Sequence, residues 1–401
     1  MSESMMVGAP LEVEEDQKPP IIVEKEKPPK KPGKEKPKRR ERIRFEWLDQ
    51  FRGIVIVLFI VQTFAYAFSG NPSGGILPIL PPMVNHGYKY INFGDGIPKI
   101  ITLVDIGQQI FIFLVGFMQA FAVMKRKQKS EEKWRVWTHT GIRVAGIFAL
   151  SILHVLIEFF LDGPPFDFEK AFLTGTLANI AWAGLFAALI SILMQNGNIR
   201  FWTGFGLMII TETLWYVTST HGGLAPLFTS NLLDTLLPLV GHIEIGIIAA
   251  GVAGWIFKPD GTIKEEGWKK QVLPLAIGFM VLSYLSWFIN WADHHKVNMS
   301  LATMAIGFSS LMIFTFYAMG QRNFKIPLLT PLGKNMLLVF LLSMIINEVI
   351  YKDMILISFN LIGLPTWYGP LLDMLLVGII PTILMWAIVW PLDKFNIIIK
   401  I

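Results

Sequence analysis

The chain has 401 residues, is 53% hydrophobic and only 16% charged, and has a mean hydropathy of +0.51. A soluble domain carries about 25% charged residues, so this balance excludes an ordinary water-soluble protein. The formal net charge is +5 and there is no cysteine, which excludes disulfides, thiolate metal sites and a Cys nucleophile.

The chain begins polar. Residues 1–46 are rich in Lys, Arg, Glu and Pro, as in Lys25-Glu-Lys-Pro-Pro-Lys-Lys-Pro32. Such a segment buries too little apolar surface to offset its ordering entropy, which predicts a disordered basic tail. Lys34 to Arg44 holds seven Lys/Arg in eleven residues. A basic cluster beside a span is attracted to anionic headgroups by about 1 kcal/mol per residue. No aromatic residues are interleaved with the charges, so nucleic acid is not an expected partner. No cleavable signal peptide is visible, because the first apolar run starts only near Gly53.

Apolar runs near 20 residues then recur, the length that crosses a hydrocarbon core of about 30 Å as a helix. The alternation of a β-barrel is missing. The expected fold is therefore all-α, a polytopic transmembrane helical bundle of about ten spans over residues 47–395. The candidate spans are 51–69, 99–124, 138–161, 171–194, 201–219, 236–257, 271–291, 300–320, 333–350 and 368–391. With the basic tail on the cytoplasmic side, Lys/Arg collect in alternate loops, at 125–135, 258–270 and 322–334. The loops 162–170 and 220–235 are poor in them. This predicts a multi-pass protein of the cell membrane with both termini cytoplasmic. Trp47, Trp202, Tyr216, Trp291, Trp367 and Tyr368 stand near span ends, where an aromatic belt is expected.

Ionisable groups at membrane depth cost at least about 2.5 kcal/mol, so they face partners or a wet cavity. Here they include Asp49 and Arg52 in the first span, Asp105 in the second, and Arg143, His154 and Glu158 in the third. Glu212 lies in the fifth span, His242 and Glu244 in the sixth, and Glu348 and Asp373 near the ends of the last two. Asp105, Gln108 and Gln109 share a helical face by i,i+3 and i,i+4 spacing. His154 and Glu158 are also i,i+4; such a pair serves either as acid and base in a cavity or as a satisfied link between helices. The seven histidines form no ligand motif with carboxylates, so no metal is expected. No Walker A loop, dinucleotide glycine fingerprint or nucleophile elbow is present.

Several segments, in order, resemble a group of membrane acyltransferases that includes heparan-α-glucosaminide N-acetyltransferase and uncharacterised prokaryotic relatives. Arg44-Phe-Glu-Trp-Leu-Asp49-Gln-Phe-Arg52-Gly53 is similar to the opening of the group's first span. Asp105 followed by Phe111, Phe113 and Gly116 resembles the second, and Gly175-Thr-Leu-Ala-Asn179-Ile-Ala181 the fourth. Pro238 to His242 resembles the stretch before the sixth, and Leu332-Gly333-Lys334-Asn335 the ninth. The likeness covers roughly 50–390. The chain departs from the pattern at Thr63, Ala178-Asn179 and Ser343. At the position of the group's catalytic His it has Asp95, with His86 the nearest histidine.

The resemblance implies transfer of an acyl group, from acetyl-CoA or a similar acyl-CoA co-substrate, to a sugar or other polar acceptor across the membrane, with no bound cofactor. It implies His86 or Asp95 as base and Asp105 as its orienting partner. Asp49, Arg52, Arg143 and Lys334 would lie where a CoA phosphate is drawn, with Asn179 and Asn335 as hydrogen-bond donors. Two rival readings stay open: a transporter or lipid flippase, and a structural membrane subunit. Membrane lipids are the expected partners, and a homo-oligomer is compatible with the sequence.

Overall fold

The computed structural model describes residues 45–69, 101, 103–129, 133–221, 230–258, 261–289, 296–347, 378–395 and 397. Residues 1–44 of the expected tail, the candidate site residues His86 and Asp95, and Trp291, Glu348, Trp367, Tyr368 and Asp373 lie outside them. Long, mainly apolar runs give α1 (Glu46–Ser69), α2 (Leu103–Lys129), α3 (Lys133–Asp162) and α4 (Thr176–Leu193). A π turn over Lys170–Thr174 leads into α4. Then follow α5 (Gly197–His221), α6 (Ser230–Ile256), α7 (Leu273–Trp287) and α8 (Met299–Gln321). The last are α9 (Leu329–Lys334), α10 (Met336–Ile346) and α11 (Ile380–Lys394). Among the described residues there are no strands beyond one isolated bridge, Phe257 to Ile263.

Five stretches are long and apolar enough to cross a membrane: Asp105–Lys127, Trp134–Leu161, Thr176–Leu193, Thr235–Ile256 and Met299–Gln321. They coincide with the second, third, fourth, sixth and eighth segments expected from the sequence. Their burial inverts what water would select. The most apolar of them, in α3, has only 22% of its window buried, whereas those in α2 and α6 are 78% and 83% buried. Phe160 on α3 is 79% exposed, and Trp202, Ile277 and Leu285 are also open. Large apolar side chains exposed in such number are disfavoured in water and favoured against acyl chains.

The core forms where small residues let helix backbones approach. A Cβ on Gly116 of α2 would sit 2.5 Å from the Gly246 carbonyl of α6, and one on Gly246 would sit 2.9 Å from the Ala183 carbonyl of α4. Helices α2, α4 and α6 therefore cross at one level. Their C-terminal ends converge, since Met124, Met194 and Ala250 all meet Arg200. The three run in parallel. Helix α5 lies antiparallel on α6, its Gly197 meeting Gly251 and its Gly204 meeting Ile248.

Three sequence expectations change at the edges. Trp47 does not join an outer aromatic belt but is buried, with Phe45, Phe257, Trp268 and Tyr317 packed around it. Its indole fills the gap between helix ends, which removes more apolar area from solvent than a surface position. Phe45 and Glu46 also belong to the bundle rather than the tail, Phe45 packing 5.5 Å from Phe257 and Glu46 pairing with Lys325 at 2.5 Å. The ninth segment, expected as one span from 333, starts earlier and is broken at Asn335, whose φ of −114° and ψ of 33° leave the helical region.

Candidate functional site

The Asp-x-x-Arg-Gly stretch of α1 and the Leu-Gly-Lys-Asn stretch of α9 are far apart in the chain and meet in the fold. Gly53 and Gly333 make the meeting possible. A Cβ on Gly53 would fall 2.1 Å from the Leu329 carbonyl, and one on Gly333 would fall 1.8 Å from the Asp49 carbonyl. These are backbone-to-backbone contacts, which a methyl would prevent. Beside them the Gln50 side chain accepts the Ile326 N–H at 3.0 Å, tying the approach to α9 onto α1.

At this junction the Arg52 guanidinium donates to Asp49 at 3.3 Å, with Asp49 buried and Arg52 partly so. Lys334 is ion-paired with Asp393 of α11. Asn335 is buried at the break between α9 and α10, where its N–H reaches the Pro331 carbonyl at a stretched 3.3 Å. Asp49, Arg52, Lys334 and Asn335 thus occupy one place. The charges of Arg52 and Lys334 are each offset by a carboxylate, so neither is an uncompensated phosphate anchor.

The other expected residues are distributed elsewhere. Arg143 sits on the peripheral α3 and donates to Gln119 of α2 at 3.1 Å. Asp105 is buried in the first turn of α2, where a carboxylate complements the helix dipole. Asn179 of α4 uses its amide N–H on the Thr174 carbonyl at 3.2 Å, while its Oδ1 is buried without a partner. Its implied role as a donor is therefore occupied within the chain, and what it offers is an acceptor. The His154–Glu158 pair is present at 3.8 Å, but Lys170 holds Glu158 at 2.6 Å, a link between α3 and the π turn.

Buried polar atoms collect between α2, α4 and α6. Asn179 and His242 each stand four residues before the Ala183–Gly246 contact, and Gln109 stands seven before Gly116. Gln109 Oε1 has no partner, and neither nitrogen of His242 makes a well-formed hydrogen bond. The Pro238 carbonyl is the polar neighbour of that imidazole. An unpaired buried polar group costs about 1–3 kcal/mol, so three on adjoining helices mark a place where packing alone is not the design.

Arg200 is the residue the sequence reading missed. It is buried at 1% exposure, and its guanidinium donates to the carbonyls of Met194 (2.8 Å), Gln195 (3.0 Å) and Ala250 (3.3 Å). Lys127 donates to the Ile192 carbonyl and Lys264 to that of Gly254. The carbonyls of Ile192 and Gly254 are orphan groups of the last turns of α4 and α6. Those of Met194 and Gln195 follow α4, and that of Ala250 lies further inside α6. Cations here also oppose the negative ends of the dipoles. The Lys264 ammonium is held below its ordinary value by burial and by the charges of Arg200 and Lys258. A signal for Arg200 did exist. It is an Arg one turn into a helix that follows a Gln-Asn-Gly-Asn turn, within reach of a helix C-terminus.

Basic side chains thus gather at one end of the bundle: Lys125, Arg126 and Lys127 at the close of α2, and Lys258 and Lys264 after α6. The Lys125 side chain reaches the 258–264 turn, its Cε lying 3.5 Å from where a Cβ on Gly261 would be. Among the described residues no group of three or more His, Asp and Glu side chains could hold a metal ion. No known family model matches the chain, and no curated protein is significantly similar to it.

Proposed function

We propose that the chain is a ten-span membrane acyltransferase of the heparan-α-glucosaminide N-acetyltransferase-like kind, with both termini on the cytoplasmic side. One observation carries the reading. The two stretches that most resemble that group, Asp49 to Gly53 and Leu332 to Asn335, pack backbone to backbone through Gly53 and Gly333. Resemblance in serial order would arise from composition alone if the segments had nothing to do with one another in space. The five long apolar helices support the span count, with α1, α5, α7, α9–α10 and α11 as our candidates for the remaining five.

In this reading the phosphates of an acyl-CoA lie at the basic end, against Lys125, Lys127, Lys258 and Lys264. Asp49, Arg52 and Asn335 shape the adjoining wall. The acceptor's nucleophile attacks the thioester carbonyl, the C–S bond breaks, and the CoA thiolate leaves and takes up a proton. Backbone and amide donors that meet the tetrahedral oxyanion supply most of the acceleration. Removal of the acceptor's proton falls to His86 or Asp95, oriented by Asp105.

The test is acyl transfer from labelled acetyl-CoA in proteoliposomes, with Asp105→Asn and Arg52→Gln beside the unmodified chain. Loss of transfer in both variants at unchanged thermal stability supports the assignment. Absence of transfer with the unmodified chain, together with no stabilisation by CoA thioesters, removes it. A bound ligand at 100 times its Kd adds about 2.7 kcal/mol, so binding would be visible in a melt. A transporter is the second reading, favoured by the unpaired polar atoms of Gln109, Asn179 and His242. It predicts uptake of a polar solute into the same liposomes.

A further inference from the structure

Helices α2, α3 and α4 meet at one apolar point near the basic end, where Val123, Val136 and Ala188 bury one another. Helix α3 packs mainly on α4 and much less on α2, so the α2–α3 seam is the looser of the two. Arg143 of α3 crosses that seam to the Gln119 side chain of α2 at 3.1 Å, one turn before Val123 along α2. Arg126 of α2 stands on the other side of the apolar point, three residues beyond Val123. It is seven residues beyond Gln119 and so shares that residue's face of the helix.

The two arginines approach the seam from opposite ends. A helical side chain leans toward its own N-terminus. The helices run antiparallel, so Arg126 leans back along α2 toward Gln119, while Arg143 leans along α3 toward the end of α2. The Gln119–Arg143 bond and the Val123–Val136 contact fix this register. Both guanidiniums are thus directed at the stretch of seam beside Val123, and each keeps part of its surface open. Arg143 is also the charge that acts on Arg126.

The surrounding helices supply no counter-charge. Among the described residues the Arg126 guanidinium makes no hydrogen bond or ion pair, and Arg143 is bonded to the neutral amide of Gln119. The acids of α2 and α3 are Asp105, Glu158 and Asp162, all toward the opposite end, and α4 and α10 have none. Glu158 is already held by Lys170. Glu131 and Glu132, in the link from α2 to α3, lie outside the described residues. The neighbouring cations are directed elsewhere. Lys127 donates to the Ile192 carbonyl, Lys125 reaches the 258–264 turn, and Arg135 lies over the Trp134 ring at 5.8 Å. Two like charges aimed at one stretch of seam call for an anion between them.

We propose that Arg126 and Arg143 form a headgroup site for an anionic phospholipid, its phosphate across the α2–α3 seam and its acyl chains along α3. A guanidinium fork matches phosphate oxygens in pairs, and a basic pocket between membrane helices near an interface suits such a headgroup. The flank of the site selects a lipid over a soluble phosphate. The apolar stretch of α3 has only 22% of its window buried, and Trp134, Trp137 and Ile142 are 61%, 41% and 63% exposed. Indoles at this position suit the level of the headgroups. The bound lipid ties α3 to α2 where the protein's own contacts are sparse. The site is separate from the lysines given to acyl-CoA and does not depend on that reading.

The test adds dioleoylphosphatidylglycerol or dioleoylphosphatidylcholine to the full-length protein in a nonionic detergent. Retained lipid is read by native mass spectrometry and stability by a melt. Phosphatidylglycerol should be retained and should raise the melting temperature, and phosphatidylcholine should do neither. Arg126→Gln breaks no hydrogen bond among the described residues, so it removes charge without removing a protein contact. It should weaken phosphatidylglycerol retention about fivefold, and combined with Arg143→Gln about 25-fold. Arg135→Gln, an exposed arginine of α3 away from the seam, should leave retention unchanged. Equal retention of the two lipids overturns the proposal. So does a loss in Arg135→Gln as large as in Arg126→Gln, which is general charge attraction. If inorganic phosphate or CoA stabilises the unmodified chain as much and displaces phosphatidylglycerol, the site takes a soluble phosphate and the lipid assignment falls. If the double variant does not fold, Arg126→Gln and the two lipids on the unmodified chain decide.

Discussion

Substituting Gly333 by Ala tests the junction at which the proposed site is built. The added Cβ would stand 1.8 Å from the Asp49 carbonyl oxygen and 2.8 Å from the Gly53 nitrogen, where ordinary contact begins at 3.4 Å. Restoring that contact moves α9 away from α1 by about 1.6 Å, the difference between the two distances. Both obstacles are backbone atoms, so no side-chain rotation relieves the clash. Overpacking of this kind costs about 1–3 kcal/mol, occasionally more, and the separated helices also lose contacts. We expect a loss of about 2–4 kcal/mol, partly offset by the up to about 1 kcal/mol that Ala gains over Gly in a helix. The assay is a detergent melt of Gly333→Ala beside Gly206→Ala, since a Cβ on Gly206 meets nothing within 4 Å. Gly206→Ala should melt at or above the unmodified chain and Gly333→Ala well below it. Equal melting temperatures for the two variants would refute the close approach and with it the site.

Arg200→Met removes the donors to the Met194 and Gln195 carbonyls after α4 and to the Ala250 carbonyl of α6, and should destabilise by about 3–5 kcal/mol, read as loss of folded protein on gel filtration. Arg200→Lys should recover only part of that, because an ammonium cannot span all three acceptors as the guanidinium fork does. A double-mutant cycle on Lys334→Ala and Asp393→Ala should give a coupling of about 1 kcal/mol or less, falling with added salt, since both side chains are part-exposed. The chain has no cysteine, so single substitutions report sidedness cleanly. Lys127→Cys and Lys258→Cys should react with an impermeant maleimide from one side of a sealed vesicle, and Phe166→Cys from the other. Labelling of all three from the same side would overturn the span count.

The fold was largely legible because its signals are local. A helix in lipid must satisfy every backbone group within itself, so an apolar run of the right length declares both its structure and its solvent. The helices α2, α3, α4, α6 and α8 follow segments read from hydropathy alone. The basic loops were legible for the same reason, as charge is read residue by residue. Their structural use was not. That Lys127, Lys264 and Arg200 donate to carbonyls at or near helix ends depends on three parallel helices finishing at one level, which no local pattern encodes.

The ionisable groups show where reading by type stops. Glu212, Glu244 and His242 were visible as costly residues at membrane depth, and Arg52 and Lys334 as charges suited to a phosphate. Sequence alone could not tell that Asp393 neutralises Lys334, that Asp49 meets Arg52, or that Glu212 accepts the Met299 N–H. Pairing is a property of which faces touch, and small residues such as Gly116, Gly246, Gly53 and Gly333 decide that by how closely they let backbones approach. Composition and periodicity therefore determined that this protein is a helical bundle whose surface is apolar. Tertiary structure decided which of its polar residues are satisfied and which are left with something to bind, because only packing brings a donor to an acceptor from another helix.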